Sequence, residues 1–270
     1  MNLCQSALEV LQATSRTFYI PISRLPPGLQ EAVAAAYLCM RAIDEVEDHP
    51  DLDSHTKAQI LRRMSLNLQA GSAHTAPQDL ALGLDAYQNL LPEVSQRLGD
   101  WALLAPQEIA PRIWDATAAM ADRMAYWAER QWRIDTKTDL DQYTFSVAGA
   151  VGLLLSDLWA WRDGVQTNRA QAIGFGRGLQ AVNILRNHGE DRRRGVSFFP
   201  QGWEFRDLYQ YARYNLDLGE QYTKALPPGP ALDFCKIPLT LARGTLEAMS
   251  LGKAKLSRSD VLALVNQATR

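Results

Sequence analysis

The sequence predicts an all-α helical bundle, and two observations support that prediction. Alternating apolar and polar residues, which mark strands, and Asn-Gly hairpin signals are almost absent. Long runs of Ala, Leu, Gln, Glu and Arg instead carry apolar residues at helical spacing. We expect about eight to ten helices joined by short connections.

Three short stretches interrupt these runs and set the helix boundaries. They are rich in Pro, Gly or small polar residues, which end helices and begin turns. They span Leu25–Gly28, Gln69–Asp79 and Leu226–Pro230.

Two of the predicted helices are apolar on nearly every side, which is typical of helices at the centre of a fold. They span Leu29–Asp48 and Ala172–Asp191. A third, Leu140–Trp161, is also apolar, and its Gly149 and Gly152 would let a neighbouring helix approach closely, because glycine has no side chain to keep it away.

Composition excludes several classes of protein. The 270 residues include 28 Lys and Arg and 30 Asp and Glu, a net charge of −2. We therefore expect no binding of nucleic acid, which requires a basic face. Cys4, Cys39 and Cys235 have no metal-ligand spacing, and their odd number argues against a disulfide framework, so we expect a reducing, cytoplasmic location.

The sequence also lacks the features of an exported or membrane-spanning chain. The N-terminus has no basic start and no long apolar core, as a secretory signal would have. The most apolar stretch, Val147–Leu155, is shorter than the roughly 20 residues of a membrane span. We expect no transmembrane segment and at most a peripheral contact with a membrane.

The first of the apolar helices ends in a cluster of acids. Asp44, Glu47 and Asp48 lie at i, i+3 and i+4, which places them on one helical face. Like charges repel there, and the negative end of the helix dipole adds to the cost. A hard divalent cation such as Mg²⁺ would compensate, with phosphate oxygens completing its coordination. The alternative is a solvated helix end whose acids point into water.

A second cluster repeats this spacing at the end of another apolar helix. Asn187, Glu190 and Asp191 again lie at i, i+3 and i+4. If the two helices face one another across a cavity, Mg²⁺ and a diphosphate would fill the gap. The alternative is a frayed helix end at Gly195, where Arg192–Arg194 pair with the acids.

Other segments accompany these clusters in a fixed order along the chain. They are Ser15-Arg16-Thr17-Phe18, Tyr37–Asp48, Tyr143 followed by Val147–Gly152, Gln180–Arg186 followed by Glu190-Asp191, Phe198-Phe199-Pro200, Phe234–Pro238 and Lys255–Arg258. Together they resemble the motifs of the squalene/phytoene synthase family, and they look closer to its squalene synthase branch.

This resemblance implies a fold and an activity. It covers the chain from about Ser15 to Val261, so it implies one isoprenoid synthase domain over residues 1–270, an all-α bundle with a central apolar cavity. The implied reaction is Mg²⁺-dependent head-to-head condensation of two prenyl diphosphates, with farnesyl diphosphate the expected substrate. The expected product is presqualene diphosphate or a squalene-type C30 hydrocarbon.

The resemblance also assigns roles to single residues. The implied metal ligands are Asp44, Glu47, Asp48, Asn187, Glu190 and Asp191; the implied diphosphate-binding residues are Ser15, Arg16, Arg41, Asn183 and Arg186. Asp44, Asp48 and Asp191 thereby act in catalysis, and Tyr143 is the candidate group near the departing diphosphate. The implied cavity residues are Phe18, Tyr37, Val147, Gln180 and Phe234. Each of these arginines and aromatic residues would, taken alone, also suit an ordinary salt bridge or core contact.

One cofactor is left open by the resemblance. Squalene synthases similar to this chain consume NADPH, whereas phytoene and dehydrosqualene synthases do not. The sequence contains no Gly-x-Gly-x-x-Gly loop after a strand, so a nicotinamide cofactor would not bind through a Rossmann fold. Lys255 and Arg258 would meet a cofactor phosphate or merely cap a helix.

The chain departs from the family pattern at two positions. Asn187 stands where the family has Asp, and Val196 stands where it has Arg, although Arg193 or Arg194 would substitute. An amide oxygen still ligates a metal but brings no charge, so we expect weaker affinity for Mg²⁺. Two alternatives follow: a divergent prenyltransferase or terpene cyclase with another acceptor or product, and a catalytically silent protein that binds prenyl lipids.

Overall fold

A computed structural model of the chain describes residues 3–72, 75–193, 195–253 and 255–269, except for the side chain of Arg16. Within these ranges the regular structure is entirely helical, without a strand, which confirms the all-α prediction. The chain divides into two compact units, Met1–Gln131 and Trp132–Arg270. That the two make up one domain with a central cavity remains a prediction.

The first unit contains helices α1 to α8 in its described part. Their bounds are α1 Leu3–Thr14, α2 Arg16–Ile22, α3 Leu29–Glu47, α4 Ser54–Gln69, α5 Pro77–Leu80, α6 Glu93–Gln96, α7 Leu98–Leu103 and α8 Ala110–Glu129, with a 3₁₀ turn at Asp85–Tyr87. The predicted break at Leu25–Gly28 separates α2 from α3. The predicted break at Gln69–Asp79 follows α4, but α5 already begins within it at Pro77, and residues 73 and 74 lie outside the described residues. The short helices α5 to α7 were not predicted, because Pro and Gly interrupt their apolar spacing.

The second unit contains helices α9 to α14 in its described part. Their bounds are α9 Lys137–Thr144, α10 Ala150–Asp163, α11 Arg169–Arg193, α12 Phe205–Ala225, α13 Pro230–Ser250 and α14 Arg258–Ala268. A π-helical turn at Phe145–Gly149 joins α9 to α10. The predicted break at Leu226–Pro230 separates α12 from α13.

Helix α3 is the central helix of the first unit, as its apolar composition predicts. It contacts α1, α4, α6, α7 and α8. Its buried residues include the small side chains of Ala35, Cys39 and Ala42, none of which is exposed to solvent. Small residues let neighbouring helices approach α3 closely, and its last turn carries the acidic cluster out of this packed core.

Helix α11 has the same place in the second unit, and glycine lets its backbone touch its neighbours. A Cβ atom at Gly176 would lie 2.1 Å from the carbonyl oxygen of Ala148 in the π-helical turn. A Cβ atom at Gly152 would lie 2.2 Å from the carbonyl oxygen of Ala172. These distances confirm that the glycines serve close helix packing, because any side chain there would collide with main chain.

The π-helical turn was not predicted, although it lies inside the helix expected over Leu140–Trp161. Thr144 donates its hydroxyl to the carbonyl oxygen of Leu140 at 2.7 Å, and Ser146 donates to that of Gln142 at 2.8 Å. Hydroxyl groups that bond carbonyl oxygens one turn back loosen the regular helical ladder. Such turns occur often at functional sites.

Two contacts from other helices hold the start of this segment. The hydroxyl of Tyr211 on α12 donates to Asp141 Oδ1 at 2.8 Å and lies 3.0 Å from Thr144 Oγ1. Arg177 on α11 donates to the carbonyl oxygen of Asp141 at 3.0 Å. The end of α9 is thereby tied to both α11 and α12.

The helical segment Lys137–Asp163 has one further property. Among the described residues it alone has the length and apolar composition of a helix that could cross a membrane, and 39% of its most apolar part is buried within the protein. Core helices of soluble proteins meet the same criterion. The absence of a transmembrane segment remains a prediction.

Candidate functional site

The acidic cluster of the first unit lies at the end of α3. Asp44 and Glu47 are on its last turn, and Asp48 follows as the C-terminal cap. The backbone N–H of Asp48 donates to the carbonyl oxygen of Asp44 at 2.8 Å, so helical geometry continues through the cluster. Asp44 and Glu47 are half-buried and Asp48 is exposed. The predicted acidic face is therefore present, open to solvent at one end.

The carboxyl group of Asp44 is strongly perturbed. Burial raises its pKa to about 7, Arg41 opposes the rise, and Asp48 and Glu45 add to it. A carboxyl group with that pKa is about half protonated at neutral pH. A bound divalent cation would favour the ionised form and remove the cost of burying its charge.

Arg41 was predicted to bind diphosphate, and the structure gives it a partner on its own helix. Its guanidinium forms an ion pair with Glu45, one turn further along α3. Its Nε atom is buried and donates no hydrogen bond to a described group. Glu45 was not predicted as part of the site, although its i, i+4 spacing from Arg41 signals the pair.

Two side chains that the sequence analysis missed support the end of α3. Lys57 on α4 is buried and donates to the carbonyl oxygen of Glu47 at 2.5 Å. Ser95 on α6 donates its hydroxyl to the carbonyl oxygen of Ala42 at 2.8 Å. Lys57 thereby satisfies a carbonyl group that the helix end leaves unpaired, and Ser95 adds a second bond to a carbonyl inside the helix. Neither has a sequence signal, since the chain brings them to α3 from 10 and 53 residues away.

The structure brings three predicted residues together beside this cluster. The hydroxyl of Ser15 accepts a hydrogen bond from the N–H of Phe18 at 3.2 Å and so caps α2. The rings of Phe18 and Tyr37 lie 5.5 Å apart. Burial raises the pKa of Tyr37, and a side-chain hydrogen bond with Ser15 opposes that rise. The side chain of Arg16 lies outside the described residues.

In the second unit, three predicted residues form one hydrogen-bonded group on α11. Arg186 donates from Nη2 to Asn183 Oδ1 and from Nε to Asn187 Oδ1, the latter at 3.3 Å. Asn187 Nδ2 lies 3.4 Å from Asn183 Oδ1. The amide oxygen predicted to ligate a metal therefore accepts a hydrogen bond from a guanidinium.

The remaining carboxylates of this cluster lie on the last turns of α11. Glu190 is exposed and Asp191 is half-buried. α11 ends at Arg193, and Gly195, two residues later, has a φ of 77° that suits glycine. The N–H of Val196 donates to the carbonyl oxygen of Asp191 at 3.0 Å. Arg194, the proposed substitute for the arginine missing at Val196, lies outside the described residues.

The segment after α11 folds back onto two aromatic side chains. Phe198 stacks on Tyr143 with ring centroids 4.8 Å apart, and Phe199 stacks on His188 at 4.2 Å. Tyr143 is only 3% exposed. The predicted catalytic tyrosine is thus held in place by an aromatic residue of the segment that follows the second cluster.

The other three predicted cavity residues also lie in the second unit. Val147 is in the π-helical turn and Gln180 is on α11, and both are half-buried. Phe234 on α13 is buried, and its ring lies 5.5 Å from that of Trp159. Phe234 and Trp159 form a core contact, and the apolar cavity remains a prediction.

The α3 cluster offers carboxylate donors of the kind that Mg²⁺ prefers. Among the described residues, no three His, Cys, Asp or Glu side chains converge to hold a metal by themselves. Mg²⁺ usually takes one or two carboxylates and completes its coordination with water and phosphate oxygens. Asp44, a half-buried carboxyl group with a raised pKa next to two more acids, fits such a cation.

The described residues of the segment expected to meet an NADPH phosphate show no comparable fit. Lys255 and Arg258 are both exposed. The start of α14 is capped by Ser257 and Asp260, since Ser257 N–H donates to Asp260 Oδ2 at 2.9 Å and Asp260 N–H donates to Ser257 Oγ at 3.1 Å. The described residues of this segment do not define a nicotinamide site.

Comparison with known proteins gives a consistent result. Residues 11–206 match the family model described as squalene/phytoene synthase. A squalene synthase of Botryococcus braunii, BSS, is 31% identical over 88% of this chain and 57% of its own length. A squalene synthase of Dictyostelium discoideum is 26% identical over 89% of this chain and 62% of its own. The chain thus spans little more than half the length of these curated relatives.

Solved structures share the fold. A ligand complex of TcSQS superimposes with a TM-score of 0.80 at 22% identity, covering 100% of this chain and 87% of that one. A ligand complex of a dehydrosqualene synthase gives a TM-score of 0.65 at 18% identity, covering 98% and 95%. With the family match over most of the sequence and the acidic cluster in place on α3, this chain belongs to the squalene/phytoene synthase family.

Proposed function

We propose that the protein is a Mg²⁺-dependent prenyltransferase that condenses two prenyl diphosphates head to head. The proposed substrate is farnesyl diphosphate, and the proposed product is presqualene diphosphate or a squalene-type C30 hydrocarbon. One observation carries the proposal: in a chain of this family, the acidic face of α3 combines half-buried Asp44, whose pKa is about 7, with Glu47 and exposed Asp48.

Ionisation of a prenyl diphosphate separates a diphosphate anion from an allylic carbocation, so the site must stabilise charge on the leaving oxygens. Bound Mg²⁺ supplies electrostatic neutralisation of that charge. Asp44, Glu47 and Asp48 would hold it, and Asp44 would be ionised when it does so. Arg186, which is exposed, would donate N–H groups to diphosphate oxygens through its planar fork.

The carbocation requires apolar and aromatic surroundings that exclude water. The faces of Phe18 and Tyr37, whose rings lie 5.5 Å apart, would stabilise positive charge beside the α3 cluster. On α11, Glu190 and Asp191 offer two further carboxylates. Tyr143 remains the proposed group near the departing diphosphate, oriented by its stacking on Phe198.

The test is incubation of the purified protein with farnesyl diphosphate and Mg²⁺, with and without NADPH. Released pyrophosphate and extracted lipids are both quantified. We expect Mg²⁺-dependent release and a C30 product. Asp44→Asn should abolish release, while Asp51→Asn, which neutralises an exposed acid outside the cluster, should not. Absence of pyrophosphate release with farnesyl and geranylgeranyl diphosphates, despite binding of a diphosphate analogue, would instead indicate a silent binding protein.

One observation favours a second candidate function. Asn187 removes a negative charge from the α11 cluster and bonds Arg186. A divergent prenyltransferase or terpene cyclase of this fold would still ionise one diphosphate at the α3 cluster and direct the carbocation elsewhere. Pyrophosphate release with a product other than C30, or release only with another acceptor, would support this candidate. Comparing the lipids formed with and without NADPH shows whether reduction follows condensation.

The proposal includes a reducing, cytoplasmic location. Cys4, Cys39 and Cys235 form no disulfide bond, which supports that location. Contact with a membrane would be peripheral. Fractionation of cells into soluble and membrane parts, followed by a carbonate wash, tests both points.

A further inference from the structure

Arg186 bonds neutral acceptors and not carboxylates among the described groups. Arg41, Arg97 and Arg243 each form an ion pair with at least one carboxylate. Arg186 bonds the amide oxygens of Asn183 and Asn187, whereas Arg177 and Arg193 bond main-chain carbonyl oxygens. No described acid contacts the Arg186 side chain, which is exposed.

These two amides leave the guanidinium available to a ligand. A guanidinium carries five N–H donors. One on Nε is directed to Asn187 and one on Nη2 to Asn183, so three remain. Two neutral acceptors, one before and one after Arg186 on the same helix, fix its orientation without cancelling its charge. Such an arrangement suits a multivalent oxyanion, which Arg binds through paired hydrogen bonds.

An aspartate at position 187 would have the opposite effect. Its carboxylate would replace a hydrogen bond to a neutral amide with an ion pair. Arg186 would then be ion-paired, and a diphosphate would have to compete with that pair. Charges of both signs lie further along α11: Glu190 and Asp191 are acidic, and the exposed Arg192 and Arg193 are basic.

We propose that Asn187 is a positioning residue for Arg186 and not a metal ligand, so that α11 binds the diphosphate group directly through the Arg186 guanidinium. The inference rests on the proposed function, since it concerns the same diphosphate. The two roles of Asn187 predict different effects of the Asn187→Asp substitution on ligand affinity. A metal ligand would gain affinity for Mg²⁺ from the added charge, whereas a positioning residue would lose affinity for diphosphate.

The test measures binding without turnover. Calorimetric titration with inorganic pyrophosphate is carried out in EDTA and again in Mg²⁺, and Mg²⁺ alone is titrated separately. The variants are Asn187→Asp, Arg186→Lys and the matched control Asn168→Asp. Asn168 is an exposed residue directly before α11, and its Oδ1 accepts from the N–H of Gln171. Its variant therefore adds the same charge at the opposite end of α11, far from Arg186.

The wild-type chain should bind pyrophosphate in EDTA. We expect Asn187→Asp and Arg186→Lys each to weaken that binding by about tenfold. Asn168→Asp should leave it within about twofold, and affinity for Mg²⁺ alone should be the same in wild type and Asn187→Asp. Thermal unfolding of each variant confirms that the fold is retained.

Three results would overturn the inference. They are binding of pyrophosphate only when Mg²⁺ is present, tighter binding of Mg²⁺ by Asn187→Asp, and equal weakening by Asn168→Asp. The first two leave the proposed function standing, because they restore Asn187 to the metal site. Failure of wild type to bind pyrophosphate under either condition would overturn the inference and the proposed function together.

Discussion

Replacement of Asp44 by asparagine should stabilise the metal-free protein while abolishing its activity. The change keeps the shape of the side chain and removes its charge. Burial raises the pKa of Asp44 from its usual value of 3.8 to about 7, so the folded state disfavours the ionised form. Asparagine does not incur that cost, because it is neutral at every pH.

The magnitude follows from the shift in pKa. Each unit corresponds to about 1.4 kcal/mol, so the full shift would amount to at most about 4 kcal/mol. Because Asp44 keeps part of its surface in water, we expect about 2 kcal/mol. Because folding raises the pKa of Asp44, the ionised side chain lowers the stability of the wild-type protein. This loss of stability is absent below the usual pKa of 3.8, grows as the pH rises, and is complete above about pH 7.

The assay is thermal unfolding in EDTA at pH 4.5 and pH 8. Asp44→Asn should unfold at nearly the wild-type temperature at pH 4.5 and about 5 °C higher at pH 8. Mg²⁺ with a non-hydrolysable prenyl diphosphate should then raise the unfolding temperature of wild type more than that of the variant. The exposed acid Asp51 gives the control, since Asp51→Asn should change neither measurement.

Two results would refute this reasoning. An Asp44→Asn variant that is less stable than wild type at pH 8 would mean that the ionised carboxylate stabilises the metal-free fold. A variant that still releases pyrophosphate at the wild-type rate would remove Asp44 from the metal site.

Three further predictions concern helix packing and helix caps. Gly176→Ala should destabilise the fold by about 3 kcal/mol in thermal unfolding, because the new Cβ would lie 2.1 Å from a carbonyl oxygen. Gly189→Ala in the same helix is the control: a Cβ there would meet no neighbouring atom within 4 Å, so this change should be neutral or stabilising. Tyr211→Phe should cost about 1–2 kcal/mol in urea unfolding, since Asp141 Oδ1 loses its donor. Lys57→Met should cost a similar amount, because the end of α3 loses its cap; unchanged midpoints would contradict either prediction.

Much of the fold follows from local patterns. The helix expected over Leu29–Asp48 is observed at Leu29–Glu47, and that expected over Ala172–Asp191 is observed at Arg169–Arg193. Apolar spacing, Pro and Gly determine these limits within a few residues of sequence. The glycine contacts of α11 were also predictable, because glycines in an apolar helix have few other uses.

The candidate site was predictable as a set of residue types, and less so as a set of contacts. The i, i+3, i+4 spacing places Asp44, Glu47 and Asp48 on one face of any helix. The ion pair of Arg41 with Glu45 is equally local, although the sequence analysis did not anticipate it. The spacing of residues along α3 does not determine which groups surround the acidic face, because those groups come from other parts of the chain.

Tertiary structure decided the properties of these residues. The pKa of Asp44 depends on burial by neighbouring helices, and the cap on Glu47 depends on Lys57 reaching it from α4. Tyr143 meets Phe198 only because the chain folds back after α11. By itself, the sequence determined which helices form and which side chains share a face, because both depend on residues within a few turns. Charge state, ring contacts and helix caps required the fold, because they join residues that are distant along the chain.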